Sequence, residues 1–178
     1  MEIAKLIGPS EQGSTTVPHY TEESRAFQLK VRQEPQCARA CSRPTPDRRP
    51  IQPWPIVELS CPSPSEGFKK YIMTCVICDE GGTDLRRCLV GTTTATPLIA
   101  EDQDGCRRCF FVFSDLSCCW KGSYKLEFRA IKIESGHKRA SVLARTTSTS
   151  FQVVTAKDFI PVKCNELQEA LIQQGYKR

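Results

Sequence analysis

Seven basic side chains lie between residues 25 and 49: Arg25, Lys30, Arg32, Arg39, Arg43, Arg48 and Arg49. Only Glu34 and Asp47 oppose them, so the stretch carries +5, the formal net charge of the whole 178-residue chain, and the remainder is balanced. Guanidinium groups are planar, permanently charged forks that fit phosphate oxygens, and one or two of them can reach guanine edges. The chemistry open to this stretch is therefore nucleic-acid recognition, with Arg39, Arg43, Arg48 and Arg49 on a loop and Arg32 on the strand leading into it. The same residues also fit a plain basic loop, solvated and partly tied up in intramolecular ion pairs. Residue chemistry alone leaves both readings open.

The other reactive residue types form weaker constellations. Eleven cysteines is a high number, but it is odd, and a chain of this length can fold without disulfide staples, so reduced thiols serving as small buried hydrophobes are expected. Cys75 with Cys78, and Cys106 with Cys109, look like two halves of a four-cysteine zinc site. Cys75 and Cys78 fall in a strand pattern, however, where residues three apart point to opposite faces, whereas a zinc knuckle needs a turn between its thiolates. No metal and no cofactor are expected. The two histidines, His19 and His137, stand in polar segments without a nucleophile elbow, a phosphate-binding glycine loop or a zincin helix beside them. Asp102 and Asp104 are too few for an EF-hand loop. The sequence does not read as an enzyme or as a binder of small-molecule substrates.

Positioning the arginines falls to β-structure. Short alternating runs recur at residues 27–32, 56–61, 71–78, 109–113, 124–133, 142–144 and 149–154, a series that predicts an antiparallel sandwich. In the clearest, Tyr124, Leu126 and Phe128 alternate with Lys125, Glu127 and Arg129 to give one apolar and one charged face. Residues 79–82 and 102–105 supply hairpin-type turns. Asn165 can cap a helix carrying Leu167, Ala170 and Leu171 on one face, with Gly175 as a left-handed stop. Prolines 44, 46, 50, 53 and 55 make the segment before the second strand stiff and extended, which lowers the entropy lost when such a loop docks.

This pattern resembles the velvet domain of fungal regulators. The likeness runs through Val31-Arg32-Gln33-Glu34-Pro35, Ala38-Arg39, Asp47-Arg48-Arg49-Pro50-Ile51 and Pro55-Ile56-Val57 at the front. Phe110-Phe111-Val112-Phe113-Ser114-Asp115-Leu116-Ser117, with Gly122, Tyr124, Leu126 and Phe128, carries it through the middle. Phe151-Gln152-Val153, Ala156-Lys157, Phe159, Pro161 and Gln174-Gly175 close it. The resemblance implies a fold similar to the immunoglobulin-like DNA-binding domain of Rel-type, NF-kappaB-like transcription factors, with this loop used on DNA. Arg32, Arg39, Arg48 and Arg49 occupy matching positions; Arg43 is added from its charge and place. Gln36, Cys37 and Cys41 stand at loop positions where more charge is expected, which implies weaker DNA affinity. Cys118-Cys119 replaces a usual Val-Arg pair, with one thiol expected inward and one outward. The resemblance also implies dimer contacts at the far end of the domain, through Phe159, Leu167, Leu171 and Tyr176.

The expected molecule is thus all-β, an immunoglobulin-like, Rel-homology-like sandwich with a short C-terminal helix over residues 20–178, preceded by a flexible arm over 1–19. Its longest apolar runs are far shorter than a bilayer span and its first residues lack the apolar core of a signal peptide, so it is expected to be soluble, intracellular and off the membrane. By resemblance it is a fungal transcription regulator of development, sporulation and secondary metabolism, found in nucleus and cytoplasm. Its expected partners are double-stranded DNA and a homodimer or a heterodimer with another velvet protein. With no clear basic import run, nuclear import is expected to depend on a partner. The competing reading is a non-DNA-binding partner subunit or scaffold in a velvet heterocomplex.

Overall fold

Alternation of apolar and polar positions sorts the strands into two facing sheets. The computed structural model describes residues 27–41, 48–60, 70–133 and 140–177, so the expected arm, Arg25, Arg43 and both histidines lie outside the described residues. One sheet runs β1 (Gln28–Gln33), β3 (Ile56–Ser60), β8 (Arg107–Val112), β7 (Leu98–Glu101). The other runs β2 (Cys37–Arg39), β12 (Phe151–Val154), β10 (Gly122–Ile133), β4 (Tyr71–Cys78), β6 (Thr94–Ala95). Strand β11 (Ala140–Thr147) extends the second sheet along the distal half of β10, and β5 (Leu89–Val90) with β9 (Ser117–Cys118) makes a small separate ribbon. Every named pairing is antiparallel except β2 with β12. The first strand thus leaves one sheet and its continuation joins the other, as in immunoglobulin-like sandwiches, whose A-B-E-D sheet faces the G-F-C sheet.

The inner faces supply the core. Val57, Leu59, Cys109 and Phe111 come from the first sheet, Met73, Cys75, Ile77, Leu126, Phe128 and Val153 from the second, and the Phe113 and Phe128 rings approach to 5.3 Å. The expected alternation in β10 holds, with Tyr124, Leu126 and Phe128 buried while Lys125, Glu127 and Arg129 are half-buried. Strand β8 breaks it, because Cys109, Phe110, Phe111 and Val112 are all buried. The reason is a lid on the outer face: helix α1 (Glu166–Gln173) sets Leu167 and Leu171 against Ile56, Ala100, Phe110 and Val112. Burying each leucine is worth about 1.5–3 kcal/mol.

Helix α1 begins and ends as its sequence dictates. The Asn165 side chain accepts from the Gln168 amide at 2.9 Å, and at the other end Gly175 takes φ +93°. The amides of Gly175 and Tyr176 there bond the carbonyls of Ile172 and Leu171, both at 3.0 Å. That pair of bonds is the Schellman stop, which needs a residue free to adopt the left-handed region. The structure departs from the sequence reading in two ways. The strand expected at 142–144 lengthens to β11, and β2, β5, β6, β7 and β9 appear where no alternating run marks them.

Candidate nucleic-acid interface

The arginine loop leaves the sandwich at one point and returns beside it. Strand β2 is fixed by its parallel pairing to β12, and the Cys41 amide then donates to the Cys118 carbonyl at 2.9 Å. On the returning arm the Ile51 amide donates to the Leu116 carbonyl at 2.7 Å. Both ends of the loop are therefore fastened within three residues of one another on the segment that runs into β9. Cys37, expected in the loop, lies in β2, so the loop proper begins only after Arg39.

The returning arm is braced from behind by the C-terminal segment. The buried Gln33 side chain donates to the Trp54 carbonyl and to Gln168 Oε1, both at 2.6 Å, and accepts from the Asn165 amide at 3.2 Å. The Val162 amide donates to Gln52 Oε1 at 3.1 Å. Between the two arms of this frame opens a cleft of about 620 Å³, lined among others by Arg48, Arg49, Gln52, Trp54, Lys163 and Gln168. Three cations thus face one concavity. Nothing in its sequence context marks Lys163, because only the return of the chain over α1 brings it there.

The arginines of the candidate set are held in different ways. Arg49 is exposed, and Arg39 is half-buried at the end of edge strand β2. Arg48 pairs with Asp115 at the surface, the two side chains being 30% and 33% exposed. Surface pairs of this kind are worth about 0–1 kcal/mol, so a phosphate can replace the carboxylate at little cost. Arg32 is different. Its guanidinium, 14% exposed, pairs with Glu58, lies 3.5 Å from Asp102 and stacks 6.0 Å from the centre of the Phe110 ring. Arg108 completes the network, reaching Asp102 at 2.6 Å and Glu58 at 3.1 Å. Burial pushes the Asp102 carboxyl up, but the amides of Cys106 and Asp104 and the Arg108 guanidinium outweigh it and hold it at about 2. Arg32 is therefore held within the fold by two carboxylates and is less available to a ligand than Arg48 or Arg49. Arg43 lies outside the described residues.

One close approach fixes the position of Asp115. Gly91 takes φ +114°, and a Cβ there would sit 2.0 Å from the Asp115 carbonyl oxygen, so only glycine lets Asp115 stand where Arg48 meets it. A patch of thiols lies beneath. The Cys41 sulfur donates to the Cys118 carbonyl at 3.3 Å, and Cys118, buried, and Cys119, half-buried, divide inward and outward as expected. A hydrogen bond between the Cys118 and Cys88 thiols lowers the Cys88 pKa and, together with burial, raises that of Cys118. Cys75 points into the core while Cys78, on the opposite face, donates to the Lys125 carbonyl at 3.6 Å, as strand geometry requires. Among the described residues, no three metal-ligating side chains converge.

The residues expected at a dimer contact separate. Leu167 and Leu171, 3% and 2% exposed, are consumed by packing under α1 and cannot form a surface contact. Tyr176 packs edge-on against Trp54 with ring centres 6.2 Å apart, and its hydroxyl lies 3.3 Å from Ser114 Oγ. Phe159 stays half-buried, and its neighbour Ile160, not anticipated, is 78% exposed.

The chain is similar to known proteins over most of its length. The family described as "Velvet factor" matches residues 27–79 and 75–178. The chain is 34% identical to "Sexual development regulator velC" of Gibberella moniliformis, an alignment covering 98% of this chain and 44% of that protein. It is 35% identical to "Spore development regulator vosA" of Beauveria bassiana, covering 87% and 66%. With a protein of Chaetomium globosum that is named for its place in the velvet complex, the identity is 32%, covering 75% and 32%. The chain spans about half the length of such relatives.

Proposed function

Since the chain belongs to the velvet family, we propose that it is a regulator of fungal development that binds duplex DNA through the loop between Cys41 and Ile51. One observation carries this reading: Arg48, Arg49 and Lys163 face a single cleft beside a loop clamped at both ends. Arg48 and Arg49 stand next to the fastened end at Ile51, so little entropy is lost when they meet phosphates. The names of the relatives, regulators of sexual and spore development, support a developmental role rather than an enzymatic one. Control of secondary metabolism, and residence in both nucleus and cytoplasm, belong to the same proposal.

The proposed working unit is a dimer with itself or another velvet protein, a reading supported by the relative named as part of a velvet complex. Exposed Ile160 beside Phe159 offers the contact that the buried leucines do not. A second reading, a partner protein whose loop meets an acidic protein surface, draws support from Arg32 and Arg48 being paired internally. Fluorescence anisotropy of the purified chain on mixed-sequence duplex DNA at rising salt decides between them. Three phosphate contacts give a slope of log affinity on log salt of about −3, whereas the second reading gives no binding in low salt.

A further inference from the structure

Tryptophan is the largest apolar side chain and is enriched at interfaces, where its apolar body and polar N–H both meet a partner. Trp120 is 53% exposed, and it is the one aromatic among the exposed large hydrophobic side chains of the described residues. It sits in the turn between β9 and β10, which is rigidly held. The Cys119 amide donates to the Cys88 carbonyl at 2.8 Å, and the Tyr124 hydroxyl donates to the Lys121 carbonyl at 3.3 Å. Gly122, at φ +156°, brings its backbone so near that a Cβ would lie 2.8 Å from the same hydroxyl. An indole on a fixed turn is preorganised for a partner.

The position of that turn indicates which partner. Cys118, two residues before Trp120, is the residue whose carbonyl fastens the arginine loop at Cys41. At about 3.8 Å per residue, the indole and the loop fall well within one helical turn of DNA, about 34 Å. Lys121 is exposed beside Trp120, as is Arg87 on the short helical turn that ends at Cys88. Asp84 is taken up by Arg86 at 2.6 Å, and Glu80, on the far side of Gly122, accepts from Ser123 at 2.9 Å.

We infer that Trp120 is a second DNA contact, its indole against the bases and sugars beside the segment gripped by the arginine loop and Lys121 on the flanking phosphate. This inference rests on the DNA-binding reading above. Apolar contacts to base edges and sugars release no counterions, whereas lysine contacts to phosphate do.

The test is a titration of a fluorescein-labelled mixed-sequence duplex with the parent chain, Trp120→Ala, Trp120→Phe, Lys121→Ala and Arg49→Ala. Trp120→Ala is expected to bind about tenfold more weakly at an unchanged salt slope, with Trp120→Phe recovering most of the loss. Lys121→Ala is expected to flatten the slope by about one. Unlabelled duplex is expected to quench tryptophan emission more strongly in the parent than in Trp120→Ala, whose remaining Trp54 lines the cleft beside the arginine loop. Matching melting curves separate a lost contact from a folding defect, and the quenching reads the parent chain itself. If Trp120→Ala binds like the parent while Arg49→Ala is weakened, the inference fails and DNA binding stands. A parent that binds no duplex removes both. If Trp120→Ala instead loses a velvet partner at full DNA affinity, the turn is a protein interface and the inference is overturned.

Discussion

Arg32 and Arg48 have the same chemistry and opposite situations, and their neighbours decide which one is available to a ligand. Arg32 stands behind the sheet between Glu58 and Asp102, so its removal leaves two buried carboxylates with Arg108 alone. Breaking a buried pair from one side costs several kcal/mol. Arg32→Ala is expected to lower stability by about 3 kcal/mol in urea denaturation, while duplex affinity measured on the folded fraction stays at the parent value. Arg48→Ala is expected to do the reverse. It costs about 0–1 kcal/mol in stability and about 1–3 kcal/mol in DNA binding where its fork meets a base. The concentration of arginines was legible in sequence as charge. Their division was not, because Glu58 and Asp102 are brought to Arg32 by the pairing of β1 with β3 and by the β7–β8 turn, contacts that no local spacing records.

At the scale of elements, the long strands could be read because one face of each meets the core and the other meets polar surroundings. Strand β10 is the clearest example. Strand β2 could not be read: its three residues, Cys37, Ala38 and Arg39, are extended because β12 lies parallel to them, not because they alternate. Helix α1 was legible through its Asn165 cap and its Gly175 stop, yet the face it covers showed only as the unbroken run Cys109, Phe110, Phe111, Val112, which no strand exposed on one side would carry. The β7–β8 turn has a pH signature. Asp102 is held at about 2 in the folded chain against about 3.9 when unfolded, so its ionised form favours folding. Its contribution is complete above about pH 4 and disappears as pH falls through about 2. Melting temperatures of the parent and Asp102→Asn, measured from pH 7 downward, are expected to differ most at neutral pH and to converge near pH 2. A constant gap would show that Asp102 acts through packing and not through charge.

For the whole molecule, one sandwich with one loop covers only part of a groove turn, and single modules bury about 600–1,000 Å² of protein surface on DNA. Pairing two such loops makes the second contact effectively intramolecular and multiplies affinity. Analytical ultracentrifugation with and without a second velvet protein is expected to show a dimer, and Ile160→Asp to reduce it; a monomer that ignores the partner and binds DNA at full strength contradicts this view. Whatever the oligomeric state, the cations of the clamped loop are proposed as what holds DNA. The direct test compares the parent with a chain carrying Arg43→Gln, Arg48→Gln and Arg49→Gln together, both shown to be folded, in a salt-dependent duplex titration. The triple variant is expected to bind far more weakly and to lose about two to three units of salt slope. Equal affinity and equal slope for the two chains would contradict the assignment of DNA binding to this loop.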